Sequence, residues 1–133
     1  MSDVFDIHDW INNVPKVASQ KTFEYGGKTI YIQRLNGLEW QEMITAGAKA
    51  QFVLLRYGLI DPKKRKTYDQ QIIREFCEKR SVAASNIALE IEKFTIETMK
   101  AENDMLEASK KNFEATGPSE PLVNGADTTD KTL

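Results

Sequence analysis

Thr22-Phe-Glu-Tyr-Gly-Gly-Lys-Thr-Ile-Tyr-Ile32, followed by Asn36-Gly-Leu-Glu-Trp40, decides the fold, because the apolar spacing changes there from strand-like to helical. In the first part, two β-rich runs flank Gly26 and Gly27, residues that tolerate the positive φ of a tight turn. A β-hairpin near 22–33 is expected. An isolated hairpin is marginal in water, so one face must lie on helices or one edge must pair with another strand. In the second part, Asn36 is placed to cap a helix, and Glu39 can reach back to the Asn36 amide. From about Leu38 to Tyr57, residues Trp40, Met43, Ile44, Gly47, Ala50, Val53, Leu54 and Tyr57 form one apolar stripe. Ala46, Gly47, Ala48 and Ala50 narrow its middle, so close approach of another backbone is expected there. Gly58 suits the C′ position of this helix, and Leu59-Ile-Asp-Pro62 must leave helical geometry before the proline.

Working outward, Lys63-Lys-Arg-Lys66 reads as a basic loop. Thr67 and Gln70 repeat the capping pattern and open a helix whose Ile72, Ile73, Phe76 and Cys77 face inward, ending near Arg80. From Val82 a long amphipathic helix follows, with Ile87, Ile91, Phe94, Thr98, Ala101 and Met105 on one face. Its continuity with the preceding helix is left open. Toward the N-terminus, Val4, Ile7, Ile11 and Val14 have helical spacing, with Asp3, Asp6 and Asp9 near the positive end of the dipole. That short helix ends before Pro15, and Phe5 and Trp10 widen its apolar face. It is expected either to dock on the core or to serve as a partner-binding arm. After about Glu114, breakers and polar residues take over, with almost nothing to bury. The fold class is therefore mainly α with a small N-terminal β-hairpin (α+β). A compact helical domain over 1–114 carries a long C-terminal helix, and 115–133 form a disordered polar tail.

A chain of 133 residues fits one domain with a real core. The formal net charge of -2 provides no global field for nucleic acid or an anionic membrane. Charge is nonetheless segregated: residues 1–20 sum to -2, residues 21–67 to +5 and residues 68–133 to -5. That pattern suits separately solvated faces, intramolecular docking or head-to-tail contact between copies, and a weak homo-oligomer is expected. Cys77 is the only cysteine, so no internal disulfide forms, and no N-terminal run has the length and basic flank of a signal peptide. A reducing cytoplasm is the expected setting. No stretch approaches the roughly 20 apolar residues of a membrane span.

Catalytic chemistry finds no foothold in the sequence. A nucleophile needs a base beside it, and zinc needs several ligands in register, but His8 and Cys77 are each alone of their kind. Glu90 and Glu92, two apart on a helix, point to different faces and do not share a substrate. Gly26-Gly-Lys28 lacks the rest of a phosphate-loop pattern. No catalytic residue, metal or cofactor is expected, and binding remains. Candidate partner-contacting residues are Phe5, Trp10, Trp40, Met43 and Tyr57, together with the basic Lys63, Lys64, Arg65 and Lys66. No stacking platform, zinc spacing or helix-turn-helix accompanies the basic run, which argues against nucleic acid.

From Trp40 to Pro62, an apolar helix running into Tyr57-Gly-Leu-Ile-Asp-Pro62, the chain resembles the tail assembly chaperones of long-tailed, siphovirus-type bacteriophages. The preceding hairpin and the Leu35-Asn-Gly-Leu-Glu39 helix entry are similar too, and the likeness spans roughly residues 20–110. The resemblance implies a chaperone that coats the tape measure protein, with a longer form extended by a programmed ribosomal frameshift that recruits tail tube protein. It also implies work in the host cell cytoplasm and absence from the mature virion. Lys110-Lys-Asn112 is a place where an A-rich slippery codon run is possible. The rival readings are a nucleic-acid-associated or regulatory helical protein using residues 63–66, and a minor structural subunit of the virion.

Overall fold

A computed structural model describes residues 4–12 and 17–116, with side chains as far as residue 108. The chain divides into two units, one spanning Lys16–Ala101 and the other combining Met1–Pro15 with Glu102–Leu133. The architecture is mainly helical with an antiparallel sheet toward the N-terminus and a long C-terminal helix.

In the larger unit, β1 (Gln20–Tyr25) and β2 (Lys28–Gln33) form the expected hairpin in the register Gln20↔Gln33 to Tyr25↔Lys28. Gly26 and Gly27 have φ of 57° and 75°, as a primed two-residue turn requires. Burial alternates along β1, so Phe23 and Tyr25 turn toward the helices while Thr22 and Glu24 face solvent.

The following helix is capped as expected. Asn36 Oδ1 accepts from the Glu39 amide at 2.9 Å, and Glu39 Oε1 accepts from the Asn36 amide at 2.9 Å. The single helix expected over 38–57 is in fact two: α2 (Gly37–Thr45), then a 3-10 turn (Gly47–Lys49), then α3 (Ala50–Gly58). Gly47 adopts φ of 60°, outside right-handed helical space, and resets the phase of the apolar stripe. Met43, Val53, Leu54 and Leu55 are buried, whereas Ile44 is 60% exposed. The close approach expected around Gly47 occurs at Gly58 instead. A Cβ on Gly47 would meet nothing, but one on Gly58 would collide with Ile91 Cγ2 and lie 3.0 Å from Ile91 Cδ1. Gly58 is thus the last helical residue, and the C-cap is Leu59.

A second correction concerns residues 59–67. Leu59–Asp61 form β3 and Lys66–Thr67 form β4, so the segment is a second hairpin added to the first in the order β1-β2-β3-β4. Tyr31 pairs with Ile60, and Asp61 with Lys66. Thr67 therefore belongs to a strand. The helix α4 (Gln70–Lys79) is capped by Asp69, whose Oδ2 accepts from the Gln71 amide at 3.1 Å. One non-helical residue, Arg80 (φ −133°, ψ 58°), separates α4 from α5 (Ser81–Thr116). Of the tail expected over 115–133, Ala115 and Thr116 still belong to α5, and residues 117–133 lie outside the described residues.

The core joins Ile32 and Leu35 to Leu55 of α3, Ile73 of α4 and Ala84, Ile87, Ala88, Ile91 and Phe94 of α5. Of the four residues expected inward on α4, Ile73 is buried, Phe76 and Cys77 are partly so, and Ile72 is 52% exposed. Thr95 is wholly buried yet satisfied: its Oγ1 accepts from the Leu35 amide at 3.1 Å and donates to the Ile91 carbonyl at 2.9 Å.

In the other unit, α1 (Ile7–Asn12) has no buried residue. Val4, Phe5, Ile7, Trp10 and Ile11 are all more than half exposed. The Phe5 and Trp10 rings meet at a tilt of 48°, with a centroid distance of 5.6 Å. Asp3, Val14 and Pro15 lie outside the described residues.

Candidate partner-binding surfaces

The residues singled out above fall on two surfaces of the Lys16–Ala101 unit and on the exposed α1, and a further surface of that unit lies on α5. The first surface is basic. In an antiparallel sheet, the start of β2 and the end of β3 lie at the same end. The β1–β2 and β3–β4 turns therefore project from one end of the sheet. Lys28, Lys63, Lys64, Arg65 and Lys66 are all exposed there. The second turn is built locally: the Lys63 amide donates to Asp61 Oδ1 at 2.9 Å, and the Arg65 amide donates to the Asp61 carbonyl at 2.8 Å. Arg65 holds φ of 62° at its tip. The structure thus gathers the four expected cations and adds Lys28, which no local signal in the sequence connects to them.

The second surface is the outer side of α5. Val82, Leu89 and Ile96 are 72%, 47% and 49% exposed, and they recur every seven residues. Each lies two residues from a buried partner of the inward face, Ala84, Ile91 or Phe94, which is about 160° around the helix. A helix with one face in the core thus carries a second apolar line facing away from it. Sequence reading missed this line because the stronger inward periodicity overlaps it.

The third is the junction of α2 and α3. Met43 is only 7% exposed and Trp40 packs against the core, so both side chains serve mainly the interior. Tyr57 is held in place: its hydroxyl donates to Glu42 Oε1 at 2.8 Å, Arg56 lies over its ring at 4.9 Å and Arg56 Nη1 is 3.6 Å from Glu42 Oε2. The hydrogen bond to Glu42, with burial second, pushes the Tyr57 hydroxyl above its usual range. Phe5 and Trp10, on the other unit, are exposed.

Chemistry-bearing groups are dispersed. His8 is exposed on α1, with its amide donating to Asp6 Oδ1, and Cys77 is half-buried on α4. Burial pushes the Cys77 thiol up, which weakens it as a nucleophile at neutral pH. Among the described residues no group of three or more His, Cys, Asp or Glu is arranged to hold a metal, and no helix is long and apolar enough to cross a membrane. An apolar groove of about 300 Å³ opens between Ile30, Leu59, Tyr68, Ile72 and Phe76. In comparison with known proteins, no family model, no curated protein and no solved structure matches this chain.

Proposed function

We propose that this protein is a non-enzymatic assembly chaperone of the phage-tail type, which covers a long helical tape measure protein until tail tube subunits replace it. The observation that carries the reading is the outward line Val82, Leu89 and Ile96 on α5. Apolar residues every seven positions supply one of the two repeating positions by which right-handed helices keep a seam in contact as they supercoil, a match for another helix. A long helical chain with apolar stripes aggregates when bare, and many small proteins laid along it would prevent that. Avidity then replaces strong single contacts, so the coat is removable. Exposed Phe5 and Trp10 supply a second, shorter apolar contact. In this reading the chaperone acts in the host cell cytoplasm and leaves before the virion is complete. A longer form would arise by slippage at Lys110-Lys-Asn112.

In this reading a tape measure protein is encoded beside this gene, and co-expression with it is the test. Leu89→Lys with Ile96→Lys should abolish co-purification while the circular dichroism and melting of the free protein stay native. Phe5→Ala with Trp10→Ala should weaken it. If the doubly substituted α5 variant stays folded and binds as the parent does, the reading fails. Lysine codons 110 and 111 that are unable to slip would remove the frameshift from it.

A further inference from the structure

We infer that the outer edge of β1 is a self-association surface, on which β1 of a second copy pairs antiparallel about a two-fold axis at Thr22. In the sheet order β1-β2-β3-β4, β1 pairs with β2 alone, so one side of its backbone is open. The register determines which groups lie on that side, because residues that bond to the neighbouring strand alternate with residues that do not. The Ser19 carbonyl accepts from the Arg34 amide at 3.0 Å, which assigns Lys21, Phe23 and Tyr25, at two-residue steps, to the bonds with β2. Gln20, Thr22 and Glu24 therefore turn their N–H and C=O groups outward, and all three residues are exposed.

Native sheets guard such an edge by keeping it short, or with prolines, bulges or charges. The opposite edge follows that rule, since β4 is only Lys66–Thr67. β1 does not. It runs for six residues without a proline, and its register is unbroken from Gln20↔Gln33 to Tyr25↔Lys28. Both of its charges are drawn off the edge. Lys21 Nζ lies over the Phe94 ring, 5.4 Å from the centroid, and Glu24 Oε2 accepts from the Thr29 hydroxyl at 2.8 Å. An open ladder of this kind accepts another extended strand.

The strand's own residues identify its partner, because Gln20-Lys-Thr-Phe-Glu24 is self-complementary when run antiparallel about Thr22. Thr22 then faces Thr22 of the second copy and Gln20 faces Glu24, so each outward residue gains a partner with two backbone bonds. The Gln20 amide also meets a carboxylate with lone pairs to spare. On the other side of the ladder Lys21 faces Phe23, a cation beside an aromatic ring. Other axes do worse. An axis at Lys21 opposes two lysines, one at Glu24 opposes two glutamates, and one at Phe23 leaves Gln20 opposite the turn residue Gly26. The contact is isologous, so it closes at two copies and joins two four-stranded sheets into one. It uses β1 and not the outward line of α5, so it stands apart from the assembly reading and either can fail alone.

The test follows the intact 133-residue protein from micromolar to millimolar concentration. Sedimentation should show monomer passing to dimer and no further. Over the same range, amide exchange followed by NMR should slow at Gln20, Thr22 and Glu24, by about tenfold once roughly nine copies in ten are paired. The amides of Lys21, Phe23 and Tyr25, bonded within the hairpin, should not change. Thr22→Pro deletes an outward N–H that the hairpin does not use, and Thr22→Lys sets two cations across the axis. Both should stay monomeric with native circular dichroism, and if the proline disturbs the hairpin, Thr22→Lys decides. Leu89→Lys with Ile96→Lys should dimerise as the parent does, and loss of the dimer there would assign the contact to α5 instead. A parent that is monomeric at millimolar concentration overturns the inference and leaves the edge to a strand of another protein. So does a dimer in which the three outward amides exchange as before, growth beyond two copies, or a folded Thr22→Lys variant that dimerises unchanged.

Discussion

Gly58 shows how one residue is selected by a contact distant in sequence. It sits at the end of α3 against Ile91 in the middle of α5, where any Cβ would overlap the isoleucine side chain. Gly58→Ala should therefore destabilise the protein by about 1–3 kcal/mol through overpacking, read as a lower urea midpoint. Ile91→Ala is itself costly, but it removes the colliding atoms, so Gly58→Ala should cost much less in that background. An equal cost in both backgrounds would assign the effect to backbone conformation instead. The sequence marks Gly58 as special for a different reason, its suitability beyond a helix end. Only the packing shows that the missing side chain, not a positive φ, is what the position requires. Thr95 is similar: its place on the inward face of a helix is legible, but its bond to the Leu35 amide spans two elements and is not.

Among the elements, those specified by neighbours in sequence are the ones legible in advance. Asn36 and Glu39 are three apart, and their reciprocal bonds form as soon as the first turn of α2 does. Asn36→Ala should lower stability by about 1 kcal/mol, with Glu39→Ala costing less. Denaturation midpoints check this, and an unchanged midpoint for Asn36→Ala would deny the cap its role. The hairpin turn at Gly26 and Gly27 is equally local. The break at Gly47 is not, because Ala46, Gly47 and Ala48 also fit a continuous helix with an exposed weak point. What the break adds is Leu55, wholly buried on α3 although a continuous helix would turn it about 120° away from Met43. Likewise β3 and β4 are too short to announce themselves as strands. They exist because β2 offers Tyr31 and Ile32 as pairing partners.

At the level of the whole molecule, three groups couple stability to pH in the same direction. The Tyr57 hydroxyl is raised by its bond to Glu42, the Tyr68 hydroxyl by burial and the charge of Asp61, and the Cys77 thiol by burial. Each folded-state value lies above the ordinary 10.0 of tyrosine or 9.0 of cysteine, so the unfolded chain releases these protons first. Their stabilisation is fully present below those ordinary values and is lost as pH rises through them toward the folded values. The melting temperature should accordingly fall as pH rises through the ordinary 9.0 of cysteine and 10.0 of tyrosine, and Tyr68→Phe should flatten the decline. A melting temperature independent of pH across that window would refute the coupling. The mainly helical class, the first hairpin, the Asn36 cap and the long C-terminal helix follow from residues a few positions apart, whose periodicity and turn chemistry act before any tertiary contact forms. The second hairpin, the Gly47 break, the closeness of Gly58 to Ile91 and the joining of Lys28 to residues 63–66 depend on residues roughly 30 or more positions apart, or on burial that only a completed core provides. No local pattern encodes those meetings, because their free energy exists only once the strands pair and the helices close over them.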